Sequence, residues 1–66
     1  NGFRAMFSGS QFAEFIKESS AVRFMLRNGT HAIKLLNNHI QFSFNGGSTW
    51  YEASLDNGYL KLTQAQ

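Results

Sequence analysis

Sixty-six residues and 7.4 kDa hold a single domain. With no Cys and no Pro, the chain offers neither a disulfide framework nor a cysteine-based zinc knuckle, and no stretch reaches the roughly 18 consecutive apolar residues of a membrane-spanning helix. Net charge is +2 and the isoelectric point near 9.4, but the six cations Arg4, Lys17, Arg23, Arg27, Lys34 and Lys61 are scattered along the chain, whereas a nucleic-acid footprint needs them gathered on one face.

A chain this short buries only about 60 % of the surface that its unfolded form exposes, so a private core is marginal. Yet 42 % of residues are hydrophobic and seven are Phe, a composition far from that of disorder. The expectation is a folded module that completes its interior with a partner. A chain opening on Asn1 rather than Met reads as one module, residues 1–66, of a longer polypeptide.

Residues 2–8 alternate Phe3, Ala5 and Phe7 against Arg4 and Met6, the pattern of a short strand with one aromatic face. Gly9 closes it. Ser10 is placed to cap a helix over residues 11–19, where Phe12, Phe15 and Ile16 fall at i, i+3 and i+4 and make one apolar stripe. Glu14, Lys17 and Glu18 then face water. A nine-residue helix is too short to stand alone and must dock on something.

From Ala21 the period becomes two. Val22, Phe24 and Leu26 alternate with Arg23, Met25 and Arg27, and Asn28-Gly29 follows, the strongest short signal for a type I′ hairpin. A strand over residues 30–36 presents His31, Ile33 and Leu35 on one side, and Asn37-Asn38 tolerates the left-handed turn after it. Ile40, Phe42 and Phe44 mark the next strand. Further strands run over residues 49–55 and 59–63, joined by Asp56-Asn57-Gly58, and the polar tail from Gln64 is expected to fray. Turn signals spaced this closely describe an antiparallel meander. Met25, Leu36 and Tyr51 fall out of phase with their strands' apolar stripes, which leaves spare apolar surface for a second interface.

The most specific string is Ser43-Phe44-Asn45-Gly46-Gly47-Ser48-Thr49-Trp50. The Asn45 side-chain oxygen can accept from backbone N–H groups across the Gly46-Gly47 bend, Thr49 can bond back, and Trp50 can pack over the hairpin. This string resembles the Asp-box, S-x-D-x-G-x-T-W, a hairpin motif of sialidases and other β-rich proteins, with Asn45 where the family has Asp. In that family the box is structural and carries no catalytic residue, and one copy excludes a β-propeller. The wider segment, residues 39–62, resembles the short repeating strands of bacteriophage tail-fibre and host-specificity proteins. That resemblance implies three chains around a shared axis, a virion tail location, and a core pooled between copies.

Candidates for chemistry are few. His31 and His39 lie eight residues apart with no third ligand at metal spacing, and Glu14 with Glu18 reads as a solvated helix face rather than a catalytic pair. No nucleophile elbow or phosphate cradle is present. Asn28-Gly29-Thr30 fits a glycosylation acceptor, but the turn explains it fully. Arg23 and Arg27 interleave with Phe24 as in a single-strand nucleic-acid groove on a small barrel, but alternation sends Phe24 to the face opposite both cations.

The composite expectation is a mainly β module, an N-terminal strand and short helix followed by an antiparallel meander, serving as a non-enzymatic structural or attachment segment within a homotrimer. Phe24, Ile33, Phe42, Phe44 and Leu60 form the shared core. Asn28, Gly29, Asn45, Gly46, Gly47, Thr49, Asn57 and Gly58 make the turns, and Trp50 and Tyr51 contact a partner or host-surface glycan. Neither metal nor cofactor is expected, and a nucleic-acid-binding barrel is the alternative.

Overall fold

The computed structural model describes residues 2–17 and 21–65. Seven strands form one antiparallel sheet in strict chain order: β1 (Gly2–Ser8), β2 (Gln11–Lys17), β3 (Val22–Asn28), β4 (His31–Leu36), β5 (His39–Ser43), β6 (Tyr51–Asp56) and β7 (Tyr59–Gln64). Every strand thus pairs with its neighbour in sequence, the simplest solution for a chain of hairpins.

The expected helix is a strand. Residues Gln11–Lys17 pair on both sides, with Phe15 opposite Phe3 of β1 and Phe24 of β3, while Glu18 and Ser19 lie outside the described residues. The stripe of Phe12, Phe15 and Ile16 fits two periods, because Ala13 and Phe15 also alternate with Phe12, Glu14 and Ile16. Phe and Ile favour extended backbone, and two flanking strands satisfy backbone groups on both sides of β2, where a short helix would leave its ends unpaired. Ser10 therefore sits in a hairpin turn, its N–H donating to Ser8 Oγ at 3.3 Å, and caps nothing. The register slips between Met6 and Ser8, so Phe7 bulges out of β1 and stays exposed.

The Asn-Gly signals at residues 28–29 and 57–58 give different turns. At residues 57–58 both φ angles are positive, 53° and 83°, as a type I′ turn requires. At the β3–β4 turn Asn28 remains in its strand opposite His31, and only Gly29 is left-handed, with φ 66°, which matches type II′. Register decides the difference. The observed pairing sets Leu26 against Ile33 and Phe24 against Leu35; turning at Asn28-Gly29 would move Leu26 opposite His31 and lose an apolar pair.

The polar tail is tied down rather than frayed over its described part. Gln64 pairs with Tyr51, and the Ala65 N–H donates to the Trp50 carbonyl at 2.8 Å.

The described residues form a single sheet with no second layer, and the consequences are measurable. Among the described residues only Ala32 and Ser43 are buried. The accessible surface is 4888 Å², against about 4,200 Å² for a compact monomer of this mass, and the radius of gyration is 12.7 Å where about 11 Å is usual for this length.

Candidate functional site

Register sorts the side chains onto two unlike faces. On one face, Phe3, Phe15, Phe24, Leu35 and Ile40 stand in line across five strands, and Ala13, Leu26, Ile33, Phe42 and Tyr51 form the row beside them. Ala53, Leu55, Leu60 and Leu62 continue it on β6 and β7. Phe15 and Phe24 meet edge to face at 4.6 Å, and Phe44 reaches the same side against the rings of His31 and Tyr51. The five expected core residues, Phe24, Ile33, Phe42, Phe44 and Leu60, therefore share this face. It is largely open: Phe3 is 63 % exposed, Phe44 51 % and Leu60 68 %. A trough of about 440 Å³ runs along it between Leu26, Ile33, Phe42 and Phe44, with His31 at one end.

The opposite face is polar. Glu14 lies between two guanidinium groups, 3.4 Å from Arg4 Nε and 3.7 Å from an Arg23 nitrogen, and is well covered. It is not the solvated helix residue its sequence spacing suggests, because in a strand it is flanked by β1 and β3. Arg4 also lies 4.5 Å from the Phe12 ring centroid, and the Lys34 ammonium lies 4.0 Å from that of Trp50. Lys34 is held below its ordinary value by partial burial and by the nearby charge of Arg23. His39 Nδ1 meets Glu52 Oε2 at 2.6 Å, and Gln41 donates to Glu52 Oε1 at 3.3 Å. These two hydrogen bonds, that of His39 first, hold the Glu52 carboxyl below the usual carboxylate range.

His39 and Glu52 matter for position because β5 and β6 share only the pairs Gln41–Glu52 and Phe42–Tyr51. Their link bridges the narrowest seam of the sheet. His31 faces the apolar trough instead, its Nδ1 at 3.1 Å from Thr30 Oγ1. The two histidines thus point to opposite sides. Among the described residues no three His, Cys, Asp or Glu side chains gather at metal-binding spacing.

The loop between β5 and β6 is held by a chain of hydrogen bonds. Gly47 N–H donates to Ser43 Oγ at 2.9 Å, Ser43 Oγ–H donates to Asn45 Oδ1 at 3.0 Å, and Thr49 N–H donates to the same oxygen at 2.9 Å. Gly46 N–H reaches back to the Thr30 carbonyl at 2.9 Å. Gly46 and Gly47 have φ of 76° and 95°, the left-handed region that favours glycine, and a Cβ on Gly46 would meet only the mobile end of the Arg27 guanidinium, at 3.0 Å. The loop lies over the end of the polar face where Ser43 opposes Ala32, which accounts for these two being the buried residues.

Trp50 and Tyr51 do not form one platform. Alternation sends Tyr51 to the apolar face opposite Phe42 and Trp50 to the polar face under Lys34, with the Trp50 ring edge beside Gly47. A ligand reaching one does not reach the other.

Asn45→Asp tests the loop directly. A carboxylate oxygen accepts from Ser43 Oγ–H and Thr49 N–H more strongly than an amide oxygen does, so the variant is expected to gain about 0.5–1 kcal/mol at neutral pH by chemical denaturation. Both bonds hold the Asp pKa below its unfolded value, so the gain is present above that value and disappears as the pH falls through the folded one.

No family model matches this chain, and no curated protein and no solved structure matches it.

Proposed function

We propose that this protein is a non-enzymatic structural module that assembles with copies of itself through its apolar sheet face, as a trimer within a fibre-like attachment structure. One observation carries the reading: a seven-stranded sheet presents Phe, Leu, Ile and Val across one side with nothing among the described residues packed on it. Contiguous apolar patches beyond a few hundred Å² on a soluble chain mark an interface. Seven strands about 4.8 Å apart and about six residues long span roughly 700 Å², near the roughly 800 Å² per partner of a stable association.

Charge agrees with this. Lys17 is the one cation on the apolar side and sits at its margin, opposite Val22 near the ends of β2 and β3. Three sheets around an axis turn their apolar faces inward and their polar faces outward, and bring β7 of one copy beside β1 of the next. Open strand edges are a liability that natural folds cover, and neither edge here carries a Pro. In such an arrangement Tyr51 is interior, so any glycan contact falls to the side of Trp50.

The test is solution mass by light scattering across a dilution series, with melting followed in parallel. A trimer whose melting temperature rises with protein concentration is expected. A folded monomer with a concentration-independent melt overturns the assembly, and a closed dimer overturns the fibre arrangement.

A further inference from the structure

The cations that look scattered in sequence are gathered by the fold. Arg4, Arg23, Arg27, Lys34 and Lys61, five of the six, fall on the polar face. Four of these lie on β1, β3 and β4 with Glu14 as the carboxylate among them. Met25 marks the centre: Arg23 and Arg27 flank it along β3, while Glu14 and Lys34 oppose it on either side. Neighbouring positions in such a sheet are about 5 Å apart across strands and about 7 Å apart two residues along a strand.

On β1 to β4 the charge is under-compensated among the described residues, since the face's other described carboxylates, Glu52 and Asp56, lie on β6. Glu14 is shared between two arginines, and Arg23 Nε is buried without a hydrogen-bond partner beside a small recess of about 30 Å³ lined by Ile16, Ala21 and Leu36. Aromatic rings stand on the same face: Phe12 directly opposite Arg27, and Trp50 beneath Lys34. Phe24, whose orientation argues against such a surface, is replaced in this role by two rings that sequence alternation within β3 could not reveal.

We propose that this face binds single-stranded nucleic acid, with Arg23, Arg27 and Lys34 meeting phosphates and Trp50 stacking on a base. The combination of a cationic surface and ring platforms is what such strands recognise. Lys34 covers Trp50 in the free protein; moving its ammonium onto a phosphate uncovers the ring and relieves its repulsion with Arg23. A duplex is disfavoured because a broad sheet does not enter the major groove, which admits a helix or a two-stranded ribbon. A polyuronate matches the charge but supplies no base for the ring. The proposal concerns the face opposite the assembly surface and stands whether or not copies associate.

Titrating the protein with a fluorescein-labelled oligothymidylate tests it, reading both anisotropy and the emission of the chain's single Trp. Expected are saturable binding that weakens as salt rises and quenching of Trp50 on binding. Lys34→Gln and Arg27→Gln should each reduce the salt slope by about 0.7 and weaken binding about tenfold. Lys61→Gln, on the distant β7, should leave affinity within about twofold. Retention of the far-ultraviolet sheet signal shows that each variant is folded, and Arg27→Lys, which keeps the charge, should keep the slope. Absence of binding at low salt, binding without Trp quenching, equal competition by polygalacturonate, or an equal effect of Lys61→Gln would each overturn the proposal. Light scattering on the same samples reports assembly separately, so the two readings fail independently.

Discussion

Phe42→Asp is expected to abolish folding and association together. Phe42 lies at the middle of the apolar face, between Ile33 on β4 and Tyr51 on β6, and it belongs to one of only two residue pairs that join β5 to β6. A carboxylate there removes an aromatic side chain whose loss alone costs about 3–5 kcal/mol, and it sets an unpaired charge in the middle of the proposed assembly surface. Because a chain of this size has little stability to spare, the expected result is a monomer with an unfolded circular dichroism spectrum. Phe42→Leu, which keeps the face apolar, should retain the oligomer with a lower melting temperature. A folded, well-packed Phe42→Asp monomer would show that the sheet stands without its neighbours, and the shared interior would have to be abandoned.

Ser43→Ala probes the loop rather than the face. Ser43 is 1 % exposed and its hydroxyl is the relay that accepts from Gly47 N–H and donates to Asn45 Oδ1. Alanine keeps the size near constant but leaves the Gly47 N–H without its acceptor in a region that water reaches poorly. A buried donor left unpaired costs about 1–3 kcal/mol, and the expected loss is about 2 kcal/mol, read as a drop in denaturation midpoint with the slope unchanged. Ser43→Thr should recover part of it. The effect should appear in amide exchange first at Gly47 and Thr49, because those groups depend on the relay directly. An unchanged midpoint would mean that the loop order comes from Trp50 and the backbone bond to Thr30 instead.

The two variants separate the two structural devices of this small chain. One face is largely open and is the surface through which we propose association; the other contains a short stretch of closed structure, Ala32 and Ser43 beneath the loop, held by hydrogen bonds rather than by apolar packing. The seam between β5 and β6 joins them. His39 and Glu52 cross it on the polar side while Phe42 and Tyr51 cross it on the apolar side, so a change on either face acts on the same two-pair seam between β5 and the β6–β7 hairpin.

Local alternation in the amino-acid sequence determined most of the strands, because a period of two needs only neighbouring residues to be recognised. Val22, Phe24 and Leu26 against Arg23, Met25 and Arg27 already separate the two faces of β3, and the positive-φ preference of Asn57-Gly58 specifies its hairpin without reference to anything distant. Residues 11–17 escaped that reading because their apolar spacing satisfies both a helix and a strand; the choice lay with β1 and β3, each of which pairs with them in extended form. The gathering of the cations was likewise invisible. Arg4, Arg23 and Lys34 are far apart in the chain, and which of them become neighbours follows from the register of three hairpins. Register is a property of paired strands, set by matching Leu26 to Ile33 and Phe24 to Leu35, so charge clustering, the Glu14 trio and the placing of Trp50 beneath Lys34 were decided only when the strands came together.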